Sequence, residues 1–268
     1  MTWFHRLSSG ELAALVVLVT LLVSIGGLLL VARRVRETTL HQALDNATIA
    51  GLLAALIGIY AIAAGLTAVA VWNNTGEAAN GVSREAAALT VLWHDLGGYP
   101  QPIRNELRKK VIDYTVYVIE TEWPLHERGE APSMSLETVE GFQRMLFNFE
   151  PKTEGQRIVH THTVAAYNRL LETRRLRLQS VDDTALPLEL WVIVLLLGVI
   201  AISACFLLRV DSFALHTTIT VLVAAPVALI LYFIAVTDRP FQGGISVSAD
   251  PYRSVLQKIM IPELDPKK

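Results

Sequence analysis

Four apolar stretches, two on either side of a polar middle of about 115 residues, restrict this chain more than any other feature. They run about 12–32, 47–72, 188–208 and 213–236 and carry almost no charge. Each is long enough to cross a hydrocarbon core about 30 Å thick at about 1.5 Å per residue. Lipid offers no hydrogen-bond partners to a backbone, so each stretch is expected to be a helix. The first stretch exceeds a signal-peptide core of roughly 7–15 residues. It ends in Arg33-Arg34-Val35-Arg36 instead of a small-residue cleavage site, so it reads as a retained span.

The chain is 52% hydrophobic, with a mean hydropathy of +0.42. A formal net charge of -2 supplies no basic field for nucleic acid, which is excluded as a partner. The single cysteine, Cys205, lies in the third stretch, which excludes a disulfide scaffold and cysteine-rich metal sites. No metal and no cofactor is expected.

Four spans put both termini and the middle segment on one side of a bilayer. Arg33, Arg34 and Arg36 flank one side, while Arg6, Arg84, Arg174, Arg175, Arg177, Arg239 and Arg253 flank the other, so loop charge pulls in both directions. The organisation reads as a transmembrane hairpin over 1–76, a helical extramembrane domain over 77–187, a second hairpin over 188–237 and a tail over 238–268. Inside the domain, apolar residues at helical spacing run from Gly81 to Leu96 and stop at Gly97-Gly98-Tyr99-Pro100. Further helices are expected from Pro102 to Trp123-Pro124, from Leu136 to Phe149 and from Glu154 to Val181, the last leading straight into span three. Glu106 and Lys110 are spaced as an i,i+4 pair. The fold class is all-α, with no strand pattern.

Span two has the most distinctive pattern. Gly51, Ala54, Gly58, Ala61, Gly65 and Ala68 share one face, and small residues let helices approach closely in lipid. They pack against another span of the chain, or they place this helix around a symmetry axis in an oligomer. On the second reading the neighbouring stripe of Leu53, Ile57, Tyr60, Ala64, Thr67 and Val71 faces the next subunit or lines a pore, where any gate works by apolar constriction. Arg174, Arg175 and Arg177 precede span three, where they anchor to head groups or form a positive ring at a pore mouth. Glu120 and Glu122 bracket a helix end, solvated, paired with arginine or on a cation. Pro226 is expected to bend span four, with a neighbour such as Thr220 satisfying the freed carbonyl. His160 and His162 are two apart, which on a helix points them in different directions. His94-Asp95 is equally weak, and no nucleophile-base arrangement occurs, so an enzyme is not expected. Trp72 and Trp191 sit at span ends, as interfacial aromatics do.

Asp238-Arg239-Pro240-Phe241-Gln242-Gly243 follows span four, with Ser246-Val247-Ser248 and Pro251 beyond. Together with Gly58-Ile59-Tyr60-Ala61, Arg84-Glu85-Ala86-Ala87, Glu122-Trp123-Pro124 and Pro187 to Trp191, this resembles the DUF4239 family, also called bestrophin-like, over about residues 47 to 254. That resemblance implies a two-plus-two arrangement similar to pentameric ion channels, with span two as the pore helix and the helical domain as a vestibule. It implies a multi-pass protein of a bacterial cytoplasmic membrane, with inorganic ions and copies of itself as partners. The signature residues Asp238, Arg239, Pro240, Phe241 and Gly243 read as structural. Span two has Tyr60 as its only aromatic before Trp72 and no paired phenylalanines, and Asp250, Glu263 and Asp265 are too scattered for a calcium clasp. Two functions follow: an oligomeric ion channel, or a non-conducting scaffold or signalling protein whose helical domain docks a partner.

Overall fold

The computed structural model describes residues 9–35, 45–130, 136–182 and 186–264. Among them every regular element is helical: α1 (Ser9–Val35), α2 (Asn46–Leu96), α3 (Ile103–Tyr117), α4 (Trp123–His126), α5 (Leu136–Phe147), α6 (Glu154–Asp182), α7 (Leu188–Cys205), α8 (Phe213–Thr237), α9 (Asp250–Val255) and α10 (Ile261–Leu264). π-Helical turns at Val118–Glu122 and Leu256–Met260 join α3 to α4 and α9 to α10. Arg6, Arg36 and Asp265 lie outside the described residues.

The helices α1, α2, α7 and α8 are long and apolar enough to cross a membrane. At 51 residues α2 is about 77 Å long, well over twice what a bilayer core requires. It starts on a capped end, where the Asp45 carboxylate accepts from the Thr48 N–H at 2.9 Å. Next to the cap, Asn46 and Arg209 exchange two hydrogen bonds of 2.9 Å, tying the start of α2 to the turn between α7 and α8.

The chain divides into two compact units: Met1–Asn74 with Thr184–Arg239 and Gly243–Ile245, and Thr75–Asp183 with Pro240–Gln242 and Ser246–Lys268. In the first, α1 packs along α8, and α8 against α7. Glycines allow the close fits, because lipid-soluble helices associate by shape and not by expelling water. A Cβ on Gly27 would stand 2.9 Å from the Phe206 ring, and one on Gly198 would stand 3.2 Å from Val227 and 3.3 Å from the Tyr60 ring. The Tyr60 hydroxyl donates to the Val227 carbonyl at 3.3 Å. Trp72 is 56% exposed and stacks on Phe233, consistent with an interfacial aromatic.

The second unit has a conventional apolar core built on one face of α2 (Val82, Leu89, Leu92, Trp93, Leu96) and on Leu107, Val111 and Val118. Trp123 lies edge-on to Phe241 and Tyr252, with ring centroids 5.8 and 5.7 Å away. The tail covers this core: Met260 and Tyr252 are fully buried. Glu263 holds the end of the tail, accepting from Trp93 Nε1 and Arg108 Nη2, both at 2.9 Å.

Three local expectations change. The α6 helix does not run into span three, because Pro187 at the N-cap of α7 has an extended ψ of 147° and forces a break. In α8, which contains Pro226, Thr220 donates to the His216 carbonyl and not to the one Pro226 leaves free. No Glu106–Lys110 ion pair forms among the described residues.

Two glycines have positive φ, Gly129 at 72° and Gly243 at 81°. A side chain in that region costs about 1–2 kcal/mol. A Cβ on Gly129 would also fall 2.0 Å from the Gln242 amide, whereas Gly243 faces open space. Thermal unfolding in detergent should therefore show a larger loss of stability for Gly129→Ala than for Gly243→Ala. Equal losses would mean that the Gln242 contact contributes nothing.

Candidate functional site

The membrane-spanning part of α2 has three sectors at a rotation of about 100° per residue. One sector is Leu53, Ile57, Tyr60, Ala64, Thr67 and Val71. Its last four members are buried and its first two half-buried, so it packs on the other spans of the same chain. The sector expected to face a lumen therefore faces inward, and Gly198 is the residue that makes room for it. The small-residue sector is the more open one: Gly51, Ala54, Gly58 and Ala61 are exposed, and Gly65 and Ala68 half-buried. The third sector was not singled out from the sequence. It carries Ile59, Ile62, Leu66 and Val69, which are 54%, 67%, 68% and 57% exposed. It lies opposite the packed side.

The second unit contains a charged cluster that is removed from water. The Arg177 side chain is 0% exposed, as are those of its partners Glu85 and Glu122. Its Nε donates to Glu85 Oε2 at 2.8 Å, and its Nη2 donates to Glu122 Oε2 at 2.7 Å and to Glu85 Oε1 at 3.3 Å. Its Nη1 donates to His126 Nε2, which puts the imidazole proton on Nδ1. Arg174 donates to the other oxygen of Glu122, and the Tyr114 hydroxyl donates to Glu85 at 2.6 Å. The Arg177 guanidinium lies 6.0 Å from the Trp123 ring and 5.8 Å from the Tyr252 ring, both within cation–π range.

Electrostatics follow from burial and pairing together. Burial alone would raise the Glu122 carboxyl, but Arg177 and Arg174 outweigh it and hold the group below the usual carboxylate range. Burial, reinforced by the Arg177 charge, brings the His126 imidazole down from 6.5 to about 4.

The arginine triplet is thus corrected. Arg174 and Arg177 are 3% and 1% exposed and neutralise carboxylates within the domain, so neither reaches a head group or a pore mouth. Only Arg175 is exposed. Glu122 is the arginine-paired carboxylate and Glu120 the solvated one. A signal for the cluster was present in the sequence. Glu85 occupies the core register Val82-Glu85-Leu89, Glu122 follows Val111, Tyr114 and Val118, and Arg174 and Arg177 fall on the face of Leu170 and Val181.

The remaining candidates are dispersed. His160 Nδ1 pairs with the Tyr99 hydroxyl at 2.7 Å, and His162 is exposed. His94 approaches Glu263 at 3.7 Å. No group of three or more His, Cys, Asp or Glu among the described residues could hold a metal. In the signature, Asp238 accepts from the Leu186 N–H at 2.9 Å and from Trp191 Nε1 at 3.3 Å, which ties the end of α8 to the start of α7. Phe241 sits in the aromatic cluster of the second unit.

The model of a family described as the bestrophin-like domain matches residues 12–252. No curated protein matches the chain by sequence. Two crystal structures share the fold. One, described as a membrane protein carrying a point substitution, has a TM-score of 0.72 at 11% identity, covering 93% of this chain and 98% of its own. The other is a bacterial bestrophin homologue from Klebsiella pneumoniae, also a point variant, with a TM-score of 0.67 at 10% identity and coverages of 93% and 99%.

Removing Arg177 would leave two carboxylates buried without their shared partner, a loss of about 3–5 kcal/mol. Arg177→Met should therefore abolish or severely lower the domain's thermal transition, while Arg175→Met leaves it in place. His126 yields a pH dependence of definite sign. Its folded pKa lies below its unfolded value of 6.5, so its contribution is complete above about pH 6.5. That contribution declines by roughly 3 kcal/mol as pH falls to about 4. Unfolding midpoints measured from pH 7 to 4 should fall, and His126→Gln should flatten that part of the decline.

Proposed function

The chain belongs to the bestrophin-like family, and from that premise we propose that copies of it assemble around an axis as an ion channel whose path is lined by the spanning part of α2. The observation that carries this reading is an exposed aliphatic sector in a span without Asp, Glu, Lys, Arg or His, directly opposite the side packed on the chain's own helices. In a ring of subunits each α2 has its own bundle behind it, a neighbour beside it and the axis in front. The packed sector (Leu53, Ile57, Tyr60, Ala64, Thr67, Val71) takes the back. The small sector from Gly51 to Ala68 suits the close approach of a neighbour. Ile59, Ile62 and Leu66 take the front. A constriction of isoleucine and leucine gates by dewetting, because a narrow apolar collar excludes water until it widens.

By family resemblance the assembly is a pentamer, the permeant species are small inorganic ions, and the location is a bacterial cytoplasmic membrane. The full-length fold match to a bacterial homologue supports that placement.

Planar bilayers test the proposal. Purified oligomer should give unitary currents, and Ile62→Thr or Leu66→Thr should raise open probability or conductance severalfold by wetting the collar. Ile57→Ala, behind the helix, should leave conductance unchanged. Repeated silence from a folded oligomer would favour the scaffold function, and sensitivity at Ile57 with none at Ile62 would reverse the assignment of faces.

A further inference from the structure

We propose that the helical domain binds one weakly hydrated monoanion of halide size, in a slot between Arg174 and Lys110 that is separate from the conduction path. The slot lies among α2, α3, α5 and α6, with walls that include Leu89, Leu92, Val111 and Phe142. About 20 Å³ of it is open to the centre of a water molecule, which is room for one small occupant.

Three observations define the occupant. The first is an orphaned donor. Arg174 lines the slot and is 3% exposed, yet its Nε–H has no acceptor among the described residues. A buried N–H left unpaired costs about 1–3 kcal/mol, so an acceptor is expected beside it. The second is the charge balance. Glu85 and Glu122 offset Arg174 and Arg177, and His126 is held neutral. Lys110 also lines the slot and makes no ion pair among the described residues, so a monoanion held there would face two cationic side chains.

Third, the slot borders an open groove at Lys110. Lys110 also lines an open surface groove with Ile103, Gly141, Arg144, Met145 and Asn148. Gly141 of α5 lies against the lysine, since a Cβ there would be 3.8 Å from Nζ, an ordinary contact. Two cations at the groove attract anions, and the narrow apolar slot behind selects among them. Phosphate or sulfate is too large and would retain uncompensated charge away from water. A halide is monoatomic, easily dehydrated and satisfied by few donors.

Bromide is the probe. In crystals of the full chain grown in sodium bromide, an anomalous peak should appear in the slot. In solution, bromide should raise the thermal midpoint saturably relative to gluconate at equal ionic strength. Lys110→Met should weaken the apparent Kd at least about tenfold, as expected for loss of one charge-assisted contact, and Lys110→Arg should retain it. Water without anomalous scattering in the slot, bromide confined to the open groove, or an unchanged bromide response in Lys110→Met would each overturn the proposal. The wild-type anomalous map decides the matter even where a variant fails to fold.

Discussion

Arg177 is the residue on which the helical domain depends. Its guanidinium is planar and always charged, so it must satisfy its donors wherever it lies. In the interior it has done so, with two carboxylates, one imidazole and two aromatic faces. Those partners come from α2, the first π-turn, α4 and α9, so one side chain joins segments as far apart as Glu85 and Tyr252. The net stabilisation from such a cluster is modest compared with an apolar core of the same volume, because each ion first loses its hydration. What it confers is specificity. Sliding α6 along its neighbours would leave buried charges without partners, so only one register is available.

The cluster also gives a physical reason for three parts of the family pattern. Glu85 and Glu122 are the two carboxylates on Arg177, and Trp123 is one of its ring neighbours. The signature after α8 has two separable tasks. Asp238 draws the start of α7 to the end of α8 through one backbone and one indole N–H. Phe241 fills the aromatic group beside Trp123 and His126, and Gly243 supplies the positive φ that lets the chain turn away.

Much of this was legible from residues alone. The four spans, the helix stop at Gly97-Gly98 and the helices over 103–126, 136–147 and 154–182 follow from hydrophobic period and turn residues. Even the charged cluster left a trace, in four ionisable residues lying in apolar registers. The partners were not legible. Arg174 and Arg177 close to a span look the same in sequence whether they meet phosphates or carboxylates, and the choice depends on residues more than 50 positions away.

The spanning part of α2 divides along the same line. Sequence alone determined that α2 is long and apolar enough to cross a membrane, that it carries no charge there, and that a small-residue face lies beside a bulkier apolar stripe. Which sector turns inward was decided by tertiary structure. In lipid the three sectors of the structure are comparably apolar, so hydrophobicity ranks none of them, and packing against α7 and α8 makes the selection. The missing side chain of Gly198 leaves the hollow that Tyr60 fills. Once Tyr60 is seated there, the direction of the other residues in this span follows.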